Sequence, residues 1–155
     1  MSDAFEYNDK GLGKLIKAFE NIPYVKLGIL GDSGKNTRKD DVALTNAEVG
    51  IKHEFGDGTM PMRSFLRMPI TEKFQAALEQ SGAFTKETID QVIKEKSLHA
   101  WIQKFGILGE QIVLDAFQTG GFGQWRPSNM KYKKNQQTLV ETQQLRDSIT
   151  SEVIG

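Results

Sequence analysis

The chain has 155 residues, with twenty basic and twenty acidic side chains and no cysteine. That length suits one domain, burying about 70% of its unfolded surface without staples. Balanced charge argues against a free-standing nucleic-acid binder and removes one brake on self-association; the lack of thiols excludes disulfides and thiolate zinc sites.

The first residues, MSDAFEYNDKGL, begin acidic and carry no apolar h-region, so they do not read as a secretory signal. No run approaches the roughly 18 apolar residues of a membrane span. The expectation is a soluble chain, cytoplasmic at synthesis, without membrane contact. GLGKLIKAFENI places Leu12, Leu15, Ile16 and Phe19 at helical spacing, and Pro23 ends the run. In YVKLGILG, Val25, Leu27 and Ile29 alternate with Tyr24, Lys26 and Leu30, which predicts a strand over 24–31. The glycines and charges of 31–44 show no periodicity and predict a mobile loop.

Thr45-Asn46-Ala47-Glu48 is a capping box that opens a helix, in which hydroxyl and carboxylate satisfy each other's orphan amides. Ala47, Ile51 and Phe55 form its apolar stripe and Gly56 its stop, which puts His53 and Glu54 in the last turn. Beyond Gly56 and Gly58, Pro61 stiffens an extended arm at about 57–68, with 64–68 a candidate third strand. The arm reads either as presenting Phe65 and Leu66 between Arg63 and Arg67 for docking, or as folding Phe65 back into its own core. In PITEKFQAALEQSG, Ile70, Phe74, Ala77 and Leu78 face inward and Gly82 lies past the helix end. Thr85 caps a shorter helix carrying Ile89, Val92 and Ile93.

Leu98, Ile102, Phe105, Gly109, Ile112 and Ala116 then recur in steps of four and three, predicting a long amphipathic helix at about 97–118 that ends at Gly120-Gly121. Glycines 106 and 109 each cost about 1 kcal/mol against alanine there. Another backbone is therefore expected to pack closely, within the subunit or across an interface. Trp125 reads equally as an exposed anchor or as a core residue pinning the tail. VETQQLRDS predicts a short helix and ITSEVIG a closing strand. The whole is read as one domain over 1–155, of α+β class: a small, mostly antiparallel sheet packed by several helices. So few strands leave edges that helices or neighbouring subunits must cover.

The chemical motifs do not complete. GILGDSGKNT lacks the first glycine of a phosphate loop, with Ile29 in its place, and Asn36 follows Lys35 where Ser or Thr is needed. His53-Glu54 begins like a zinc-binding H-E-x-x-H, yet position 57 is Asp57. No G-x-S-x-G elbow occurs. Lys131, Lys133 and Lys134 around Tyr132 read as a solvated basic loop before a nucleic-acid contact. No catalytic residue, metal or cofactor is expected. The alternatives carried are a nucleotide- or metal-dependent enzyme, resting on Gly34-Lys35 or His53-Glu54, and a DNA-contacting module working through the basic loop.

AEVGIKHEFG (47–56), MPMRSFLR (60–67) and LVETQQLRDSIT (139–150), in that order, resemble the virion-morphogenesis proteins of tailed bacteriophages, also called tail-completion or minor tail proteins of the neck. The family pattern is A-x-x-G-x-x-x-E-F-G, then I-P-x-R-x-F-L, then L-I-D-T-G-Q-L-R-x-S-I. The resemblance spans 25–153 and rests on Glu54, Phe55, Gly56, Pro61, Arg63, Phe65, Leu66, Thr142, Leu145, Ser148 and Ile149. Met60 stands where the family has an aliphatic residue, and Gln143 where it has glycine.

The resemblance implies a non-enzymatic virion protein of the tail or neck, assembled in the bacterial host cytoplasm. It also implies a ring of copies, often six, around the DNA channel, with DNA passing through unread. The neighbours would be the tail tube or tail terminator and the head–tail connector or head-closure protein; a tail-terminator role is the close alternative. Candidate interface residues are Arg63, Phe65, Leu66, Arg67 and Trp125. Changing Arg63 and Phe65 together is expected to leave a folded monomer unable to assemble.

Overall fold

Two alternating segments from distant parts of the chain meet as the sheet. The structure is a computed structural model that describes residues 22–31, 44–58, 60–95, 97–126 and 143–155. In it β1 (Tyr24–Ile29) and β2 (Ile149–Ile154) run antiparallel, from Tyr24 opposite Ile154 to Ile29 opposite Ile149. Between them come α1 (Asn46–Phe55), α2 (Arg67–Gln80), α3 (Lys86–Glu95), α4 (His99–Thr119) and α5 (Gln144–Asp147). The fold is the expected small α+β arrangement. The predicted helix at 11–22, nearly all of the 31–44 loop, the basic loop at 131–134 and Thr142 lie outside the described residues.

The long helix α4 is the hub, packing against both strands and α2. Its two suspect glycines answer the question raised by the sequence, because the close neighbour is this subunit's own sheet. A Cβ on Gly106 would sit 2.9 Å from Ser151 Cβ, and one on Gly109 would sit 2.7 Å from Leu27 Cδ2. Glycine's helix penalty is accepted in exchange for a short helix-to-sheet separation. Glu110, one position on, accepts a hydrogen bond from the Ser151 backbone amide. The C-terminal half of α4 supplies the core: Val113 and Phe117 meet Phe65 and Leu145, with Leu27, Ile29, Ile70 and Ile149 packed around them. The N-terminal half instead carries an aromatic cluster of Trp101, Phe105 and Phe84, with ring centroids 4.9–6.2 Å apart. Trp101 Nε1 donates to the Ala83 carbonyl at 2.9 Å.

Both parts of the Thr45 capping box form. The Thr45 amide and hydroxyl hold the Glu48 carboxyl below its usual range. The support that this gives the helix start is present above the ordinary glutamate range and is lost as pH falls through the lowered value.

Two expectations are corrected. The apolar stripe of α1 is not its buried face: Asn46, Gly50 and Glu54 are buried, while Ile51 and Phe55 are 61% and 62% exposed. Gly50 lets Ile29 approach, since a Cβ there would lie 2.6 Å from Ile29 Cδ1. Nor do residues 64–68 form a strand, because the amides of 65–67 point at one carboxylate and open α2.

Gln143, where the family pattern has glycine, adopts φ 57°, in the left-handed region. That conformation costs a residue with a Cβ about 1 kcal/mol or more, and glycine nearly nothing. Gln143→Gly is therefore expected to leave stability unchanged or raise it by up to about 1 kcal/mol, read as the denaturation midpoint. A clear loss would show that the Arg146-to-Gln143 side-chain bond outweighs the strain.

Candidate functional site

The opening turn of α2 has no capping side chain of its own: Leu66 occupies the cap position and makes no side-chain bond. The cap arrives from the last turn of α1. Glu54 Oε2 accepts from the Phe65 and Leu66 amides, both at 3.0 Å, and Oε1 accepts from the Arg67 amide at 3.1 Å and the Ser64 hydroxyl at 2.6 Å. Ser64 Oγ in turn accepts from the Met68 amide at 2.9 Å. Arg67 Nε lies 3.7 Å from the same carboxylate. A buried anion is stable here because backbone N–H groups and the positive end of a helix surround it.

The chain between the two halves of this clamp turns tightly. Gly56 has φ 74°, and a Cβ on it would meet the Met60 carbonyl at 3.0 Å, so glycine is required there. Asp57 Oδ1 accepts from the Met60 amide, and the Arg63 amide donates to the His53 carbonyl at 2.7 Å. Pro61 rides exposed on the outside of the turn.

The third motif closes on the first two. Leu145, 2% exposed, shares the core cluster with Phe65, and Gly50 lies against both: a Cβ there would be 3.5 Å from Phe65 and 3.6 Å from Leu145. Ser148 Oγ caps α5 by donating to the Leu145 carbonyl at 2.7 Å, and Ile149 packs on the cluster as β2 begins. Glu54, Gly56, Phe65, Leu145, Ser148 and Ile149 thus form one joint between α1, α2, α5 and the sheet.

Of the candidate interface residues, the structure removes two from the surface. Phe65 is 2% exposed and packs on Phe117 at 5.3 Å between centroids; Arg63 is 5% exposed, its Nε donating to the Arg126 carbonyl at 3.0 Å. Burial lowers the Arg63 pKa from its ordinary value, yet a guanidinium stays charged near neutral pH. The arm does not present Phe65, because Glu54 draws the chain inward at residues 64–67. Trp125 takes the core role: its ring meets Phe117 edge-on at 5.7 Å, and Nε1 donates to the Ser64 carbonyl at 3.1 Å. Leu66 is half-buried and Arg67 exposed, its guanidinium 5.6 Å from the Phe55 ring centroid.

Leu66 and Arg67 border a feature that the sequence motifs did not indicate. Ala47, Ile51 and Phe55 on α1, together with Ile29, Leu66 and Arg67, line an open groove of about 350 Å³. Its only signal in the sequence was the apolar stripe on α1, which reads as core until the clamp is known.

His53 sits in the last turn of α1, with His99 at the start of α4. Among the described residues no three His, Asp or Glu side chains converge as metal ligands, and no helix is long and apolar enough to cross a membrane. Gly34-Lys35 lies outside the described residues. Comparison with protein-family models, curated proteins and solved structures gave no match.

Proposed function

We propose that this chain is a structural virion protein of a tailed bacteriophage, completing the tail end or neck as a ring around the DNA channel so that tail and head connector join. The observation that supports this most is the convergence of the three motif segments. Residues quoted for the resemblance from 54–66 and from 145–149, far apart in the chain, pack against one another as one joint. The motif positions serve architecture: a buried cap, a glycine turn and core contacts, with the exposed faces of α1 and α3 left over for neighbours. On this reading the partners are further copies of the chain, the tail tube or tail terminator protein on one side, and the connector or head-closure protein on the other.

The test is electron microscopy of particles from a phage carrying an amber codon in this gene. Filled heads beside unattached tails of normal length are the expected outcome, and a tagged copy should map to the neck. Overlong tails would assign the tail-terminator role instead. Joined, infective particles without the protein would refute the reading.

A further inference from the structure

Asp57-Gly58 is the one place in the chain where an aspartate or asparagine precedes glycine. An aspartyl carboxyl can reach the amide nitrogen of the next residue, and a glycine there puts no side chain in the way. The structure separates this step from the other Asp and Asn residues it describes. Asn46, Asp90, Asp115 and Asp147 all belong to helices, whose fixed φ and ψ hold the next amide away from the side-chain carbon. Asp57 lies outside any helix or strand, just past Gly56, and both it and Gly58 are exposed. Gly58 has φ 84°, and a Cβ on it would meet nothing within 4 Å. The Asp57 carboxyl is also turned along the chain. Its Oδ1 accepts from the Met60 amide at 2.8 Å, which folds the group toward the C-terminal side of its own residue, where the Gly58 nitrogen lies. The same bond draws electron density from the carboxyl carbon, the atom that a nucleophile attacks.

We propose that Asp57-Gly58 is a site of spontaneous covalent modification in the folded chain, where the backbone re-routes through the Asp57 side chain to give isoaspartate. The Gly58 nitrogen bonds to Asp57 Cγ, and one carboxyl oxygen leaves as water, taking the amide proton and a proton from solution. The five-membered imide then takes one water back. Opening at Cγ restores the ordinary chain. Opening at the Asp57 main-chain carbonyl leaves Gly58 joined through Cγ and frees an α-carboxylate. Water lost equals water regained, and no oxidant or cofactor takes part. The product carries one extra methylene in the backbone between Glu54 and the residues 64–67 that it holds, and the Met60 amide loses the carboxylate position that now accepts from it. The inference stands apart from the virion reading and does not depend on it.

The test ages the purified full chain for weeks in neutral buffer, beside a sample kept unfolded in urea. Methyl transfer by a purified isoaspartyl methyltransferase counts the new link, and peptide mapping with electron-transfer fragmentation locates it. In the folded sample, isoaspartate at 57 should exceed that at Asn46, Asp90, Asp115 or Asp147 by roughly tenfold or more. Asp57→Glu keeps a carboxylate but must close a six-membered ring, so it should hold the native melting midpoint and lose the mark. Asp57→Asn, which expels ammonia in place of water, should build the same link faster. A mark at 57 in urea but not in the folded chain overturns the proposal, because the native turn would then shield the carboxyl from Gly58. So does a mark that persists in Asp57→Glu, or a folded Asp57→Asn chain that gains none.

Discussion

Phe65→Ala is expected to destabilise the fold by about 3–5 kcal/mol, the usual range for removing a buried phenylalanine from a core. The ring is 2% exposed, stacked at a tilt on Phe117 and set against Val113 and Leu145, so its loss leaves a void that those neighbours fill only in part. A urea titration should show a lower midpoint at an unchanged slope. The consequence for interpretation is direct. A change at Arg63 and Phe65 together would abolish assembly by unfolding the subunit, so failure to assemble in such a variant says nothing about a docking arm. An unfolding free energy within about 1 kcal/mol of the unaltered chain's would mean that Phe65 is not the core residue described here.

Glu54→Ala is expected to cost about 3 kcal/mol or more. It strips the partner from three backbone amides and the Ser64 hydroxyl at once, all at or near a buried helix start. Glu54→Gln should cost less, roughly 1.5–3 kcal/mol, because the amide oxygen keeps some acceptance while its NH₂ group opposes the remaining donors. Amide hydrogen exchange separates this clamp from an ordinary core contact: in both variants the amides of residues 65–67 should exchange much faster, before the strands do. Equal exchange at those three amides would show that another group holds them.

Much of this architecture was legible in the residues. Alternation in YVKLGI and ITSEVI marks strands because a half-buried pleat needs it. The capping box at Thr45 marks a helix start because two orphan donors are satisfied together. The step pattern from Leu98 to Ala116 marks α4, and the glycines inside it point to a close neighbour. The candidate site was harder, and for one reason. Reading apolar as inward assigns Ile51 and Phe55 to the core and Glu54 to solvent, and here the opposite holds. A carboxylate that accepts four hydrogen bonds can be buried in place of an alkyl side chain, but those donors lie ten to thirteen residues further on, beyond the reach of any helical period. The same distance hid the fate of the arm. Pro61 and the two arginines suit a stiff projection, and only the clamp at Glu54 turns residues 64–67 inward. Trp125 was undecidable for a similar reason, since its indole partner is a carbonyl 61 residues earlier in the chain.

The Glu110 carboxylate that takes the Ser151 amide makes the two margins of the sheet unequal. A strand arriving alongside β2 would have to evict that side chain before it could form its own ladder there, whereas β1 presents no such guard among the described residues. Growth of this sheet by an added strand at β2 is therefore opposed by a side chain already seated on its edge.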